Sequence, residues 1–201
     1  MDADLQTGVT STSQGRPRFD ADARRQQILG QPFQSEHSRA LARHWLDIAG
    51  DRIMPAKSDL RPEELVRTLP NLLIYEYVSP EEIRFRLYGT ALRAAYRRDL
   101  TGENYLDLTP PGERKETSER LFTLINFPCA AFSRLMAPAG KEVMGTYEAV
   151  GFPLTDDKGK PGFAIYASDL IQRGLAPCDR DPQKIHNLAP MFLDIGNGLP
   201  D

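Results

Sequence analysis

The chain is poor in the residues that hold metals, cross-link chains or mark export. Its 201 residues include two cysteines, Cys129 and Cys178, three histidines and one tryptophan. Two cysteines make no disulfide framework. The N-terminus is acidic and polar, without the apolar segment of a secretory signal, and Arg24-Arg25 is not followed by the apolar run of a twin-arginine signal. No stretch approaches the length of a membrane span, so no membrane partner is expected. The expected setting is the cytoplasm, with both thiols reduced. Neither sign of charge dominates: 25 Lys and Arg against 28 Asp and Glu give a net charge of −3. A nucleic-acid partner normally leaves a basic patch or a high pI, and none is expected here.

The materials of catalysis are equally thin. Two distant cysteines and scattered histidines lack metal-ligand spacing, so no metal is expected. No Gly-rich loop sits between a strand and a helix to cradle phosphate. Asp156-Asp157 is an adjacent carboxylate pair, but it lies in a hairpin turn where carboxylates are common for turn reasons. The chain is therefore read as a non-enzyme, with an enzyme as the weaker alternative.

What is present is a pattern of elements. Residues 1–34 are rich in Asp, Ser, Thr, Gln, Gly and Arg and read as a mostly disordered leader, with a short helix near Asp20–Leu29. Residues 35–175 read as one folded domain, and residues 176–201 as an irregular C-terminal tail. The spacing of Leu41, Trp45, Ile48 and Ala49 predicts an amphipathic helix over Ser38–Ala49, stopped by Gly50. A connector over Met54–Leu60 and a short helix from Pro62 lead to a β-rich run, Leu72–Val78. Ser79-Pro80-Glu81-Glu82 turns it into Ile83–Tyr88. In that strand Ile83, Phe85 and Leu87 alternate with Arg84, Arg86 and Tyr88, and Gly89 allows a sharp exit. Thr90 is read as the N-cap of a helix over Ala91–Tyr96. A helical turn over Asn104–Leu108 follows. Thr109-Pro110 then reads as the cap of a longer helix that ends before Pro128. Three more strands are expected over Cys129–Ala137, Glu142–Leu154 and Gly162–Leu170, the last two joined by the turn Asp156–Lys160. This is an α+β plan: one five-stranded antiparallel sheet with a helical insert after the second strand, a flanking N-terminal helix, and helices over one face of the sheet.

That order resembles a PAS domain. The motifs resemble more closely a group of small, mostly stand-alone bacterial PAS proteins common in alphaproteobacteria. They are His44-Trp45 on the first helix, the connector Met54–Pro62, Leu69-Pro70-Asn71, Phe85-Arg86-Leu87-Tyr88-Gly89-Thr90, and Asp99-Leu100-Thr101-Gly102. The match runs over roughly residues 38–170. Tyr88 is bulkier than the residue usual there, and Arg97 stands where glycine is usual. The resemblance implies signal sensing without enzyme activity. The output would come from a regulatory protein partner in trans, since the chain carries no kinase, cyclase or DNA-binding segment. Haem in such a fold needs an axial histidine in the helical insert, but His37 and His44 precede the sheet and His186 lies in the tail. All three are read as surface or cap residues. Flavin photochemistry needs a reactive cysteine in the insert, and neither Cys129 nor Cys178 lies there. No cofactor is expected.

The candidate ligand-binding residues are Tyr75, Arg86, Tyr88, Tyr96, Arg134, Tyr147 and Tyr166, which fall on strands or the insert helix. Tyr and Arg suit an anionic or aromatic ligand. The alternative is that the tyrosines are core-edge residues and the arginines solvated, with Arg86 pinned to Asp59. Leu41, Trp45 and Ile48 are the candidate interface of a homodimer, unless the same arc packs within its own domain under Met191-Phe192-Leu193. Two functions remain open: a sensory module that binds a small ligand, or a protein-interaction module whose core is filled by Phe85, Leu87, Phe132 and Tyr147.

Overall fold

Alternating apolar residues pair Leu72–Ser79 (β1) with Glu82–Tyr88 (β2) as an antiparallel hairpin, the start of the sheet. The computed structural model describes residues 20–138, 144–173, 185–187 and 191–199. Before the hairpin come α1 (Ala21–Leu29) and α2 (Glu36–Ala49); after it come α3 (Thr90–Tyr96) and α4 (Arg114–Asn126). Three long strands follow: β3 (Cys129–Pro138), β4 (Met144–Thr155) and β5 (Pro161–Arg173). Strand order is β2-β1-β5-β4-β3, with every pairing antiparallel. The five expected strands are all present.

Two short strands extend the sheet beyond them. β6 (His186–Asn187) and β7 (Met191–Asp194) both pair with β3. Leu193 and Ile195 are buried, so the described part of the tail is not the irregular segment its composition suggests. The buried apolar residues Ile185, Leu193 and Ile195 outweigh the surrounding Pro and Asp. The opposite edge, β2, is closed by backbone bonds from Phe85 N to Glu103 O and from Gly102 N to Phe85 O. Covered edges deny pairing to a foreign strand.

Helices cover both faces of the sheet, where one covered face was expected. The reason lies in the strands: β4 is buried continuously from Gly145 to Thr155, so each of its faces needs a cover. On one face, α1 and α2 pack Ile28, Leu41 and Trp45 against Val150, Phe152 and Ile165. On the other, the insert packs Leu92, Leu100, Tyr105 and Leu124 against Tyr75, Phe85 and Tyr166. Trp45 is fully buried, stacks on Phe152 (5.0 Å, 21°) and donates to Pro153 O at 3.0 Å.

Residues 20–34 belong to this packing, although their composition suggests a disordered leader. Asp20 caps α1, Ile28 is fully buried, and Phe33 sits edge-on against Phe132 at 5.4 Å. The N-terminal arc of Leu41, Trp45 and Ile48 is enclosed within the chain, Leu193 and Ile195 lying in the same core cluster. It offers no surface to a second subunit.

Local starts differ from expectation in three places. α3 begins at Thr90 itself, with Gly89 as N-cap and no side-chain cap bond. Gly89 has an ordinary φ of −63°; it is required because a Cβ there would lie 2.2 Å from Pro70 O. Thr109 does not cap α4, which starts at Arg114 after a 3-10 turn over Pro111–Glu113; Thr109 is buried instead. Pro62–Glu64 makes only a 3-10 turn.

Candidate functional site

The insert face of the sheet is made of tyrosine. All seven tyrosines of the chain lie in, or pack against, the core cluster on that face. The opposite face carries Trp45 and the phenylalanines Phe33, Phe132, Phe152 and Phe163. A β-bulge explains part of this sorting. Ile74 pairs with Leu87 and Tyr75 with Phe85, so Arg86 is the extra residue on β2. Past the bulge the faces exchange. Tyr88 joins Ile83 and Phe85 on the insert face, and Leu87 packs with the α2 core. Strict alternation, as read from the sequence, puts both residues on the wrong side.

Two small cavities lie between this tyrosine face and the insert, of about 60 Å³ and 40 Å³. Leu73, Tyr75, Tyr105, Leu135 and Ser168 line both and form the shared partition, with Tyr75 and Tyr105 its two rings. Tyr75 meets Tyr105, Tyr166 and Phe85 at centroid distances of 5.4, 5.1 and 5.1 Å. The larger cavity reaches α4 and is bounded there by Thr117, Arg120 and Leu124. The smaller reaches α3 and is bounded by Tyr88, Leu92, Tyr96 and Tyr147. Tyr147 and Leu92 also face a surface groove beside Ala91, Ala95 and Asp169.

Burial holds these phenols protonated. Desolvation raises Tyr75 and Tyr166 well above the usual tyrosine range, and the neighbouring tyrosines push the same way. Burial likewise raises Tyr77 and Tyr88, and lifts Tyr147 to about 12 against the pull of Arg173. Each ring therefore offers a neutral hydroxyl, able to donate. The Tyr77 and Tyr166 hydroxyls are close enough to perturb each other but form no hydrogen bond of good geometry. Burial raises the Cys129 thiol to about 12, which makes it inert as a nucleophile. Cys178 lies outside the described residues. Among the described residues, no group of three His, Cys, Asp or Glu could hold a metal, and no helix is long and apolar enough to cross a membrane.

Of the seven sequence-derived candidates, the structure gathers Tyr75, Tyr88, Tyr96, Tyr147 and Tyr166 around the cavities. It does not bring in the two arginines. Arg86, extruded by the bulge, is exposed and faces Glu76 at 3.5 Å. Its expected partner Asp59 instead pairs with Arg52 at 2.8 Å and accepts from Ala56 N at 2.9 Å. Arg134 is exposed on the strand face that carries Phe132, away from the cavities. Phe132 and Leu87, expected to plug the core, also lie on that other face.

Tyr105, Thr117, Arg120, Ser133 and Ser168 line the larger cavity without having been singled out from the sequence. For Thr117 and Arg120 the signal is helical spacing, since they fall four residues before Leu121 and Leu124 on one face of α4. Tyr105 announces itself only as one more tyrosine.

A polar belt ties the N-terminal segment to the strands behind the site. Ser35 caps α2 through its Oγ, which also donates to Asp169 Oδ2 at 2.9 Å. Asn71 Nδ2 donates to Ser168 O and to Asp169 Oδ1, and the buried Glu148 accepts from Gln34 N and Ser35 N. This gives Leu69-Pro70-Asn71 a structural task. His44 is buried rather than exposed: Nδ1 lies 3.1 Å from Glu64 Oε2, and Nε2 accepts from Arg61 N. It clamps the connector onto α2.

A family model described as a PAS domain matches residues 33–164. No curated protein matches the chain. Among solved structures, the PAS domain of a protein from Colwellia psychrerythraea is 11% identical, with a TM-score of 0.40, covering 55% of this chain and 97% of that one. The PAS domain of Bordetella pertussis BvgS is 18% identical, with a TM-score of 0.39, covering 55% and 87%. Vibrio cholerae VqmA, in a ligand–DNA complex, is 14% identical with a TM-score of 0.41; the match covers 55% of this chain and about half, 51%, of VqmA. TM-scores this low carry no argument of their own.

Proposed function

We propose that this chain, which belongs to the PAS domain family, is a sensory or regulatory module that binds a small ligand in the tyrosine-lined space and signals to a partner protein in trans. PAS domains are generally sensory or regulatory. The observation that supports a ligand here is the pair of adjacent cavities with Tyr75 and Tyr105 in their shared wall, apolar spaces whose linings carry hydroxyls from Tyr, Ser and Thr. Apolar walls with a few converging polar groups are the usual make-up of a ligand site. The belt through Ser168, Asp169, Asn71 and Ser35 supplies a path for the response, because the cavity wall and the α2 cap share it. We place the module in the cytoplasm, where a free buried thiol such as Cys129 stays reduced. A homodimer, if it forms, uses a surface other than Leu41, Trp45 and Ile48, which are buried within the chain.

The second reading, a protein-interaction module with a filled core, is favoured by volume. Each cavity holds only one or two waters at ~30 Å³ each, while ligand sites commonly span ~300–1,000 Å³. Native mass spectrometry of the purified full chain separates the two. A bound small molecule, lost on denaturation, is the expected result. The bare chain mass in every preparation, with no small aromatic compound raising the melting temperature, would leave the filled core.

A further inference from the structure

We propose that the ligand of this site is a small carboxylate with a compact apolar body, its carboxylate held by Arg120 and Thr117 at the α4 end of the larger cavity. This rests on the ligand-binding reading above and adds the ligand's chemical class.

The charge distribution carries it. Among the described residues lining the larger cavity, Arg120 is the sole charged one, and no carboxylate lines either cavity. The guanidinium bridges inside and outside. Nη2 donates to Thr117 Oγ1 at 3.2 Å, and Thr117 is fully enclosed in the cavity wall at 1% exposure. Nη1 donates to Glu116 Oε1 at 3.0 Å, and that carboxylate is largely exposed. An exposed ion pair between residues four apart on a helix contributes little. A ligand carboxylate reaching the inner edge of the guanidinium therefore has a weak competitor. It gains a charge-assisted bond beside the enclosed Thr117 hydroxyl.

The remaining wall suits the rest of such a molecule. Leu73, Leu124 and the rings of Tyr75, Tyr105 and Tyr166 give an apolar, aromatic surround. The Tyr75 and Tyr166 phenols stay neutral and can donate to an anion without repelling it. A cationic ligand would meet Arg120 with no acid to balance it. A body larger than a few atoms must displace the Tyr75–Tyr105 partition and enter the second cavity, which is uncharged. Ligand entry and movement of that partition are thus one event.

Benzoate and its uncharged isostere benzamide test the idea on the full-length chain, by melting temperature and by calorimetric Kd at constant ionic strength. Benzoate is expected to bind and raise the melting temperature, with benzamide about tenfold weaker or worse. Arg120→Gln should remove the preference for benzoate. Glu116→Gln, which frees the guanidinium from its outer partner, should tighten benzoate and serves as the variant whose fold is not in question. Equal binding of the two probes, or benzoate binding unchanged in Arg120→Gln, overturns the carboxylate assignment but leaves the ligand-binding reading standing. Binding of neither probe overturns the carboxylate assignment, and it takes the ligand-binding reading with it only when native mass spectrometry also shows the bare chain mass. Tighter benzamide than benzoate would also sink the carboxylate while supporting an uncharged ligand in the same cavity.

Discussion

The ring of Tyr166 lies across Gly151. The two are cross-strand partners on β5 and β4. A Cβ built on Gly151 would stand 2.1 Å from Tyr166 Cε1 and 2.3 Å from Cζ. The missing side chain on one strand makes room for the ring on the next, and that ring forms a wall of the larger cavity. Gly151→Ala should push the ring into the cavity or off its strand. Overpacking of this kind typically costs ~1–3 kcal/mol. Urea midpoints of Gly151→Ala and of the double variant with Tyr166→Ala check it: the second change should relieve most of the steric part of the first, and purely additive effects would mean the two residues do not clash.

Trp45→Ala should destabilise the fold by ~3–5 kcal/mol, the usual range for emptying a buried large aromatic site. The residue has no exposed surface, stacks on Phe152 and bonds Pro153 O. Denaturant unfolding measures the loss. Light scattering should show the same oligomeric state as the parent under native conditions. A change of mass without a change of stability would put Trp45 in an interface after all.

Arg97→Gly should stabilise. Arg97 ends α3 with φ +55°, and it is the only non-glycine residue with positive φ among the described residues. A left-handed conformation costs an ordinary residue ~1–2 kcal/mol relative to glycine, partly offset by the greater freedom of glycine when unfolded. The expected gain is about 1 kcal/mol in a chemical-denaturation experiment. A loss would show that the Arg97 side chain makes a contact worth more than the strain.

Alkaline pH should unfold the protein through its tyrosines. Their folded pKa values are raised, Tyr147 to about 12 from an ordinary 10.0. The neutral form is thus favoured in the folded state. The stabilisation is complete below the unfolded value near 10 and is lost as pH rises toward the folded value. Each such tyrosine contributes a slope of ~1.4 kcal/mol per pH unit across that window. Stability measured from pH 8 upward should hold to about 10 and then fall steeply. A flat profile to pH 12 would mean the phenols ionise in place.

Limited proteolysis should spare α1. Ile28 and Phe33 are both in the α2-side core, so a fragment starting at Ser35 gives up two buried apolar side chains, worth ~1.5–3 kcal/mol each. Comparing melting temperatures of fragments that begin at Asp20 and at Ser35 checks this. Equal stability would return residues 20–34 to the leader.

Much of the secondary structure was legible because its signals are local. Period-two alternation marks β1 through β5, and the apolar stripe of α2 ends at a stop at Gly50, whose φ is +55°; its start at Glu36, capped by Ser35, lies two residues before the expected Ser38. Part of the cavity wall was legible by residue type, since the strand tyrosines Tyr75, Tyr88, Tyr147 and Tyr166 line it. What could not be read was which side of the sheet each residue would face. The bulge at Arg86 exchanges Leu87 and Tyr88 between cores, and a bulge is set by the pairing of two strands.

The sequence by itself determined the order of the strands along the chain and the helical insert, since each depends on neighbours a few residues away. Only the tertiary structure decided the rest. It covered both sheet faces, enclosed the arc of α2 that looked free for a partner, and recruited α1 and the β7 segment to do so. It also left Arg86 and Arg134 outside the cavities and put Arg120 at the wall of one. Burial is a property of the whole chain: an apolar arc or a charged side chain takes its meaning from what packs over it, and residues more than a hundred positions apart supply that cover.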